Sequence, residues 1–193
     1  MSAPPSTAPL DFDDAVLGQG LPPAAEAALR EAGQLRSDPP LAMAALMRAK
    51  ALAPDHPAVL IAFYRHHFYG HRLAAARDVA RHAMAIGGQA LGLPPVWRDV
   101  PARPLHGAKD DATTRFYLFV LKGYAYLSLR LDDDVEARDA LVKLRHLDPE
   151  DCVGGALLEA VRQRNGVDDD DAGPALPAFG AAAWARVVPE VAP

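Results

Sequence analysis

Cysteine is almost absent: Cys152 is the one thiol in 193 residues, so neither an internal disulfide nor a cysteine metal cage can be built from this chain. No apolar run approaches the ~18 residues that cross a bilayer, which excludes a membrane span. The first residues, MSAPPSTAPLDFDD, have neither the basic start nor the apolar centre of a secretory signal. Lysine is scarce as well. Lys50, Lys109, Lys122 and Lys143 are all that stand among 20 basic residues, against 25 acidic ones, and the net charge is −5. That balance argues against a general nucleic-acid binder. Gly-rich phosphate loops, HExxH pairs and nucleophile elbows are all missing, so no enzyme class has its motif here. Together these absences point to a cytoplasmic, non-enzymatic protein without a cofactor.

What is present is a hydrophobic fraction of 50%, ample for one core. Aromatics make up only 7%, yet Phe63, Tyr64, Phe68 and Tyr69 crowd one window and Phe116, Tyr117, Phe119, Tyr124 and Tyr126 another. Residues 1–21, rich in Pro, Ser and Asp, read as a flexible N-terminal tail. Helical pattern fills 22–166. Pro22 and Pro23 suit a first helical turn, and a helix follows to about Leu35. Ser37 or Asp38 can cap a second, which stops before Pro54. A third spans about His56 to Tyr69, ended by Gly70, and a fourth about Leu73 to Ile86, ended by Gly87 and Gly88.

Four prolines then make 87–111 an irregular insertion. Helices resume from about Ala112 to Leu131 and from the acidic run Asp132–Asp134 to Leu147. A last helix is expected over 150–164, with Gly154 and Gly155 inside it for close packing, and 167–193 reads as an acidic linker and C-terminal tail. No segment alternates as a strand does. The fold class is all-α.

An internal period underlies the second helices of successive pairs. A shift of about 34 residues, the length of a helix-pair repeat, places Ala42 on Ala76, Leu46 on Ala80 and Ala49 on Ala83. Ala137, Leu141 and Leu144 repeat the small-large spacing further on. Ala137 follows Ala76 by one period plus an insertion about as long as the irregular stretch 87–111. KALAPDHP around Pro54 and RHLDPED around Pro149 end two units alike. Small residues at such positions let paired helices approach closely, and proline ends the unit.

These features resemble the tetratricopeptide repeat family, in a divergent form of about three repeats over residues 23–164. The resemblance implies antiparallel helix pairs stacked as a right-handed α-solenoid, interrupted by the long loop between the second and third units and capped by the 150–164 helix. It implies an adaptor, scaffold or assembly chaperone that holds a protein segment in a concave groove. The groove positions would be Ile61, Arg65, Phe68 and Tyr69 in the second unit, and Phe119, Lys122, Tyr126 and Arg130 in the third. Basic heads between aromatic faces suit an acidic segment or a C-terminal carboxylate. The competing reading places about half of these aromatics in the core, with Phe63 and Tyr124 as pure core residues.

Other features add alternatives. Trp97 and Arg98 in the insertion suit a partner contact, or Trp97 plugs the gap between the second and third units. His67 and His71 stand i, i+4, a spacing by which one helix presents two imidazoles to a metal, and a histidine-based metal or redox accessory protein using Cys152 is one alternative function. Homodimerisation or self-occlusion through the Phe179–Val188 stretch of the tail is another.

Overall fold

A computed structural model describes residues 20–165. The two tails expected from sequence fall outside these residues, apart from residues 20 and 21. Among the described residues seven α-helices follow one another: α1 (Pro23–Gln34), α2 (Pro39–Leu52), α3 (Pro57–Tyr69), α4 (Leu73–Ala90), α5 (Ala112–Arg130), α6 (Asp134–Leu147) and α7 (Gly155–Asn165). A short 3-10 helix, Trp97–Asp99, lies between α4 and α5. No strand occurs among the described residues, and the protein is all-α. Each helix packs on the one that follows it, and α7 also reaches back to α5.

The helix starts are chemically explicit. Asp38 accepts the Leu41 amide at 3.2 Å, ahead of prolines in the first turn of α2. His56 Nδ1 accepts the Ala58 amide at the start of α3. Asp111 caps α5 by accepting the amides of Thr113 and Thr114. Asp133 accepts Glu136 N at the start of α6. Each cap satisfies amides that have no partner within the helix.

Three helices end in the same device. After α3, Arg72 N donates to His67 O and His71 N to Phe68 O, with His71 in the left-handed region at φ 54°. After α5, Asp133 N donates to Ser128 O and Asp132 N to Leu129 O, with Asp132 at φ 58°. Leu93, Gly92 and Gly88 close α4 in the same way. These are Schellman turns, in which one left-handed residue lets the chain reverse and bond the last carbonyls. α3 ends at Tyr69 with Gly70 as its cap, as expected, and the left-handed residue of the turn is His71, one beyond. His71 and Asp132 stand at the same offset in sequence as Ala76 and Ala137, the buried small residues of α4 and α6.

Those repeat positions are core. Ala42, Leu46, Ala49, Ala76, Ala80, Ala83, Ala137, Leu141 and Leu144 are each no more than 4% exposed. A larger apolar cluster runs from α3 through α6 to Val153, and a smaller one joins α1, α2 and α3 around Leu46, Val59 and Phe63.

Two expected boundaries are corrected. The fourth helix does not stop at Gly87 and Gly88; it continues through them to Ala90, so the irregular stretch begins at Leu91. Both glycines are buried under α5, and a Cβ at Gly87 would stand 3.0 Å from a Phe116 ring carbon. Their role is close approach of α4 to α5, which outweighs the roughly 1 kcal/mol each costs a helix relative to Ala. The last helix begins at Gly155 rather than at 150. Asp148, 5% exposed, takes the amides of Cys152 and Val153, and Asp151 and Gly154 adopt positive φ, so 148–154 is a turn. Gly154 and Gly155 thus lie before and at the start of α7, not in its interior.

Candidate functional site

α3 and α5 run in the same direction and meet through side chains. A Cβ at Gly123 would come within 3.2 Å of the Tyr64 hydroxyl, so the small residue in mid-α5 is what admits the tyrosine. One turn further along α3, Phe68 stacks on Tyr64 (5.9 Å between centroids, 9° between planes) and also meets Tyr126 of α5 at 6.0 Å. Tyr69 packs edge-on against Phe68 at 5.5 Å and is 51% exposed. Arg130 lies over the Tyr126 ring at 5.8 Å and donates to its hydroxyl at 2.9 Å.

The structure thus brings Phe68, Tyr69, Tyr126 and Arg130 into one patch, with Arg65 exposed one turn earlier on α3. Neither Arg65 nor Arg130 has a carboxylate partner among the described residues, whereas Arg77, Arg98 and Arg162 all do. Burial is the main force that pushes the Tyr64 phenol far above the ordinary phenol range, with Tyr126 and Tyr69 adding to it. It stays protonated at any physiological pH. Sequence reasoning missed Tyr64 and Gly123 as the base of this patch; the glycine in mid-helix was the available signal.

The remaining expected groove residues lie elsewhere. Ile61 is buried in the core. Phe119 is half-buried beneath Lys122, whose ammonium stands 5.9 Å from its ring. Lys122 Nζ donates to the Val153 carbonyl at 2.5 Å. Desolvation holds its pKa below the usual lysine value, with Asp151 opposing the shift. Lys122 is therefore committed to tying the turn before α7 onto α5, and the expectation that it is a free groove cation is corrected.

The insertion packs onto the body. Trp97 is 5% exposed, with its ring 6.0 Å from Tyr124, so it plugs the gap beside α5 and is not available as a partner contact. Arg98 covers the Trp97 ring at 4.4 Å and forks onto Glu136 of α6, which also accepts the Tyr124 hydroxyl. Lys143 donates to the carbonyls of Arg98 and Val100. Phe63 and Tyr124, read as core, are buried.

The histidines do not form the i, i+4 pair expected. His67 is on α3, but His71 lies past its end in the left-handed turn. His66 Nε2 and His67 Nδ1 are buried without hydrogen-bond partners among the described residues, and burial, then the Arg72 charge, disfavours protonation of both rings. Among the described residues no group of three or more His, Cys, Asp or Glu side chains is placed to share a metal ion. Cys152 is exposed in the turn before α7. Desolvation and Asp148 push its thiol up, which disfavours the reactive thiolate.

No described helix is long and apolar enough to cross a membrane. No family model matches the chain, and no solved structure does. Over 101 residues, 51% of its length, the chain is 37% identical to a protein of Azotobacter chroococcum mcd 1 named as an uncharacterized 19.8 kDa protein in the nifW 5' region. The match spans 56% of that relative, a little over half its length, and the relative's name ascribes no activity to it.

Proposed function

We propose that this chain is a tetratricopeptide-like interaction module: α1–α2, α3–α4 and α5–α6 form three units of a right-handed solenoid, with α7 as the cap, and a protein segment binds along the face made by α3 and α5. The observation that carries this reading is the convergence of Phe68, Tyr69, Tyr126 and Arg130 at the junction of two first helices, beside Arg65, which has no carboxylate partner among the described residues. The repeat is supported by the turns at His71 and Asp132, which keep the same offset as Ala76 and Ala137.

The chemistry of the face favours a particular ligand. Exposed aromatic edges over a rigid tyrosine base offer stacking surface at little entropic cost, and guanidinium groups without carboxylates offer charge-assisted hydrogen bonds. An extended segment carrying carboxylates, or ending in one, satisfies both. The module acts as an adaptor, scaffold or assembly chaperone and needs no cofactor for this role.

The test is affinity capture from native lysate with the wild-type chain and with Arg65→Glu/Arg130→Glu. A partner held by the first and lost by the second, at unchanged helicity by circular dichroism, supports the groove. A partner retained by both overturns it.

A further inference from the structure

α2 is apolar around most of its circumference. Of its 14 residues only Arg48 and Lys50 are charged, and none is acidic. A helix of that composition is ordinarily covered on every side. Here one side is buried, through Ala42, Ala45, Leu46 and Ala49, and the opposite side is open. Ala44 and Ala51 are exposed along it, and Leu41, Met47 and Leu52 beside them are each at least half exposed. Single apolar residues on a surface need no explanation, but a contiguous patch marks an interaction site.

The patch is symmetric about its own centre. Leu41 and Leu52 lie at its ends, Ala44 and Ala51 inside them, and Met47 and Arg48 at the middle. Leu41 and Leu52 are close to three turns apart and share one side of the helix. Ala44 and Ala51 are two turns apart and make a flat seam on which a second helix can approach closely. Turned end for end, the patch meets itself. Ala44 then faces the partner's Ala51, Leu41 falls within one turn of the partner's Leu52, and Met47 comes level with the partner's Met47. Such an antiparallel pair also opposes the two helix dipoles. Charge balances at the centre as well: Arg48 is bonded to Glu31 of α1, so the two-fold axis brings together two guanidiniums and two carboxylates.

We propose that the exposed side of α2 is the seam of a two-fold dimer, in which a second copy of this chain packs antiparallel on Ala44 and Ala51. A closed pair needs one surface that fits itself, and the central symmetry of 41–52 supplies it. The seam is one helix long, about 21 Å, and falls short of the ~800 Å² per partner of a standard interface. The dimer is therefore of micromolar strength and forms and separates with concentration. None of its seam residues lies on α3 or α5, so it stands or falls apart from the reading of that face.

Sedimentation velocity on the full chain, from low to high micromolar concentration, should show the mass rise from 20.6 kDa toward twice that value. Ala44→Glu/Ala51→Glu sets carboxylates against one another along the seam and should hold the chain at the monomer mass, at unchanged helicity by circular dichroism. Cross-linking in the Cys152→Ser background reads the register. Ala44→Cys chains mixed with Ala51→Cys chains should oxidise to a disulfide-linked dimer. Neither should do so alone, because like positions stand about 10 Å apart along the axis, beyond the ~7 Å between Cα atoms that a disulfide spans.

A chain that stays monomeric at every concentration overturns the proposal. Faster amide exchange along α2 on Leu10→Asp/Phe12→Asp would then assign the patch to residues 1–19, and a captured partner released by Ala44→Glu/Ala51→Glu would assign it to that partner. A dimer that survives Ala44→Glu/Ala51→Glu overturns it too and moves the contact elsewhere on the chain. So does cross-linking of Ala44→Cys chains alone, which would make the pair parallel.

Discussion

Trp97 and Tyr124 pack ring against ring, centroids 6.0 Å apart, one from the irregular insertion and the other from the middle of α5. Arg98 closes over the tryptophan and reaches Glu136, and Glu136 in turn accepts from Tyr124, so the insertion is riveted to α5 and α6 by one buried ring and one shared carboxylate. Trp97→Ala should remove both the apolar contact and the surface on which Arg98 lies. A loss of about 3–5 kcal/mol in urea unfolding is expected for such a truncation. A loss below about 1 kcal/mol would mean that the insertion does not contribute to the core.

The same carboxylate gives an acid dependence. The hydrogen bond from Arg98, then that from Tyr124, hold Glu136 below the usual carboxylate range, against an opposing effect of burial. The folded-state pKa is depressed, so this stabilisation is complete above the unfolded value of about 4.5 and is lost as pH falls through the folded one. Glu136→Gln should lower stability at neutral pH and flatten its decline below pH 4.5. Urea midpoints at pH 7 and in the acid range measure this; parallel curves for the two proteins would contradict it.

How far the sequence carries this fold can be judged at particular residues. The second-helix positions, Ala42 to Leu144, are readable because burial at helical spacing demands small or apolar side chains whatever the neighbours are. Gly87 and Gly88 are not. A glycine pair commonly ends a helix, and only the rings of Phe116 and Tyr117, far along the chain, reveal that here it admits α5. The site divides for the same reason. Phe68, Tyr69, Tyr126 and Arg130 come from the tetratricopeptide resemblance together with helical spacing, which is local. The withdrawal of Lys122 depends on Val153 and the Asp148 turn, a tertiary arrangement that no spacing encodes.

Tyr117 makes the alkaline limb of the stability curve testable. It is 1% exposed, its hydroxyl has no hydrogen-bond partner among the described residues, and burial pushes its pKa up to about 12. The folded value lies above the unfolded 10, so its contribution is fully present below pH 10 and is lost as pH rises toward 12. At pH 11 this amounts to about 1 kcal/mol. Tyr117→Phe removes the buried unbonded hydroxyl and should leave stability at pH 7 unchanged or raised. The loss between pH 9 and about 11 in urea unfolding should also shrink. A destabilised variant at pH 7 would show that the hydroxyl is bonded in solution.

Lys122 and Arg130 separate fold from binding, because both are cations on α5 next to aromatic rings but only Lys122 holds a carbonyl. Lys122→Met keeps the bulk of the stem and leaves Val153 O without its donor, at a cost of about 1–3 kcal/mol. It should leave partner capture intact, since the ammonium faces the turn before α7 and not the Phe68–Tyr126 patch. Arg130→Glu should do the reverse: a surface change within about 0.5 kcal/mol of wild type in stability, and loss of capture. Thermal unfolding and capture measured side by side on the two variants decide the matter. If Lys122→Met abolishes capture at full stability, the ammonium belongs to the binding face after all, and the assignment of the groove to the Arg130 end of α5 is wrong.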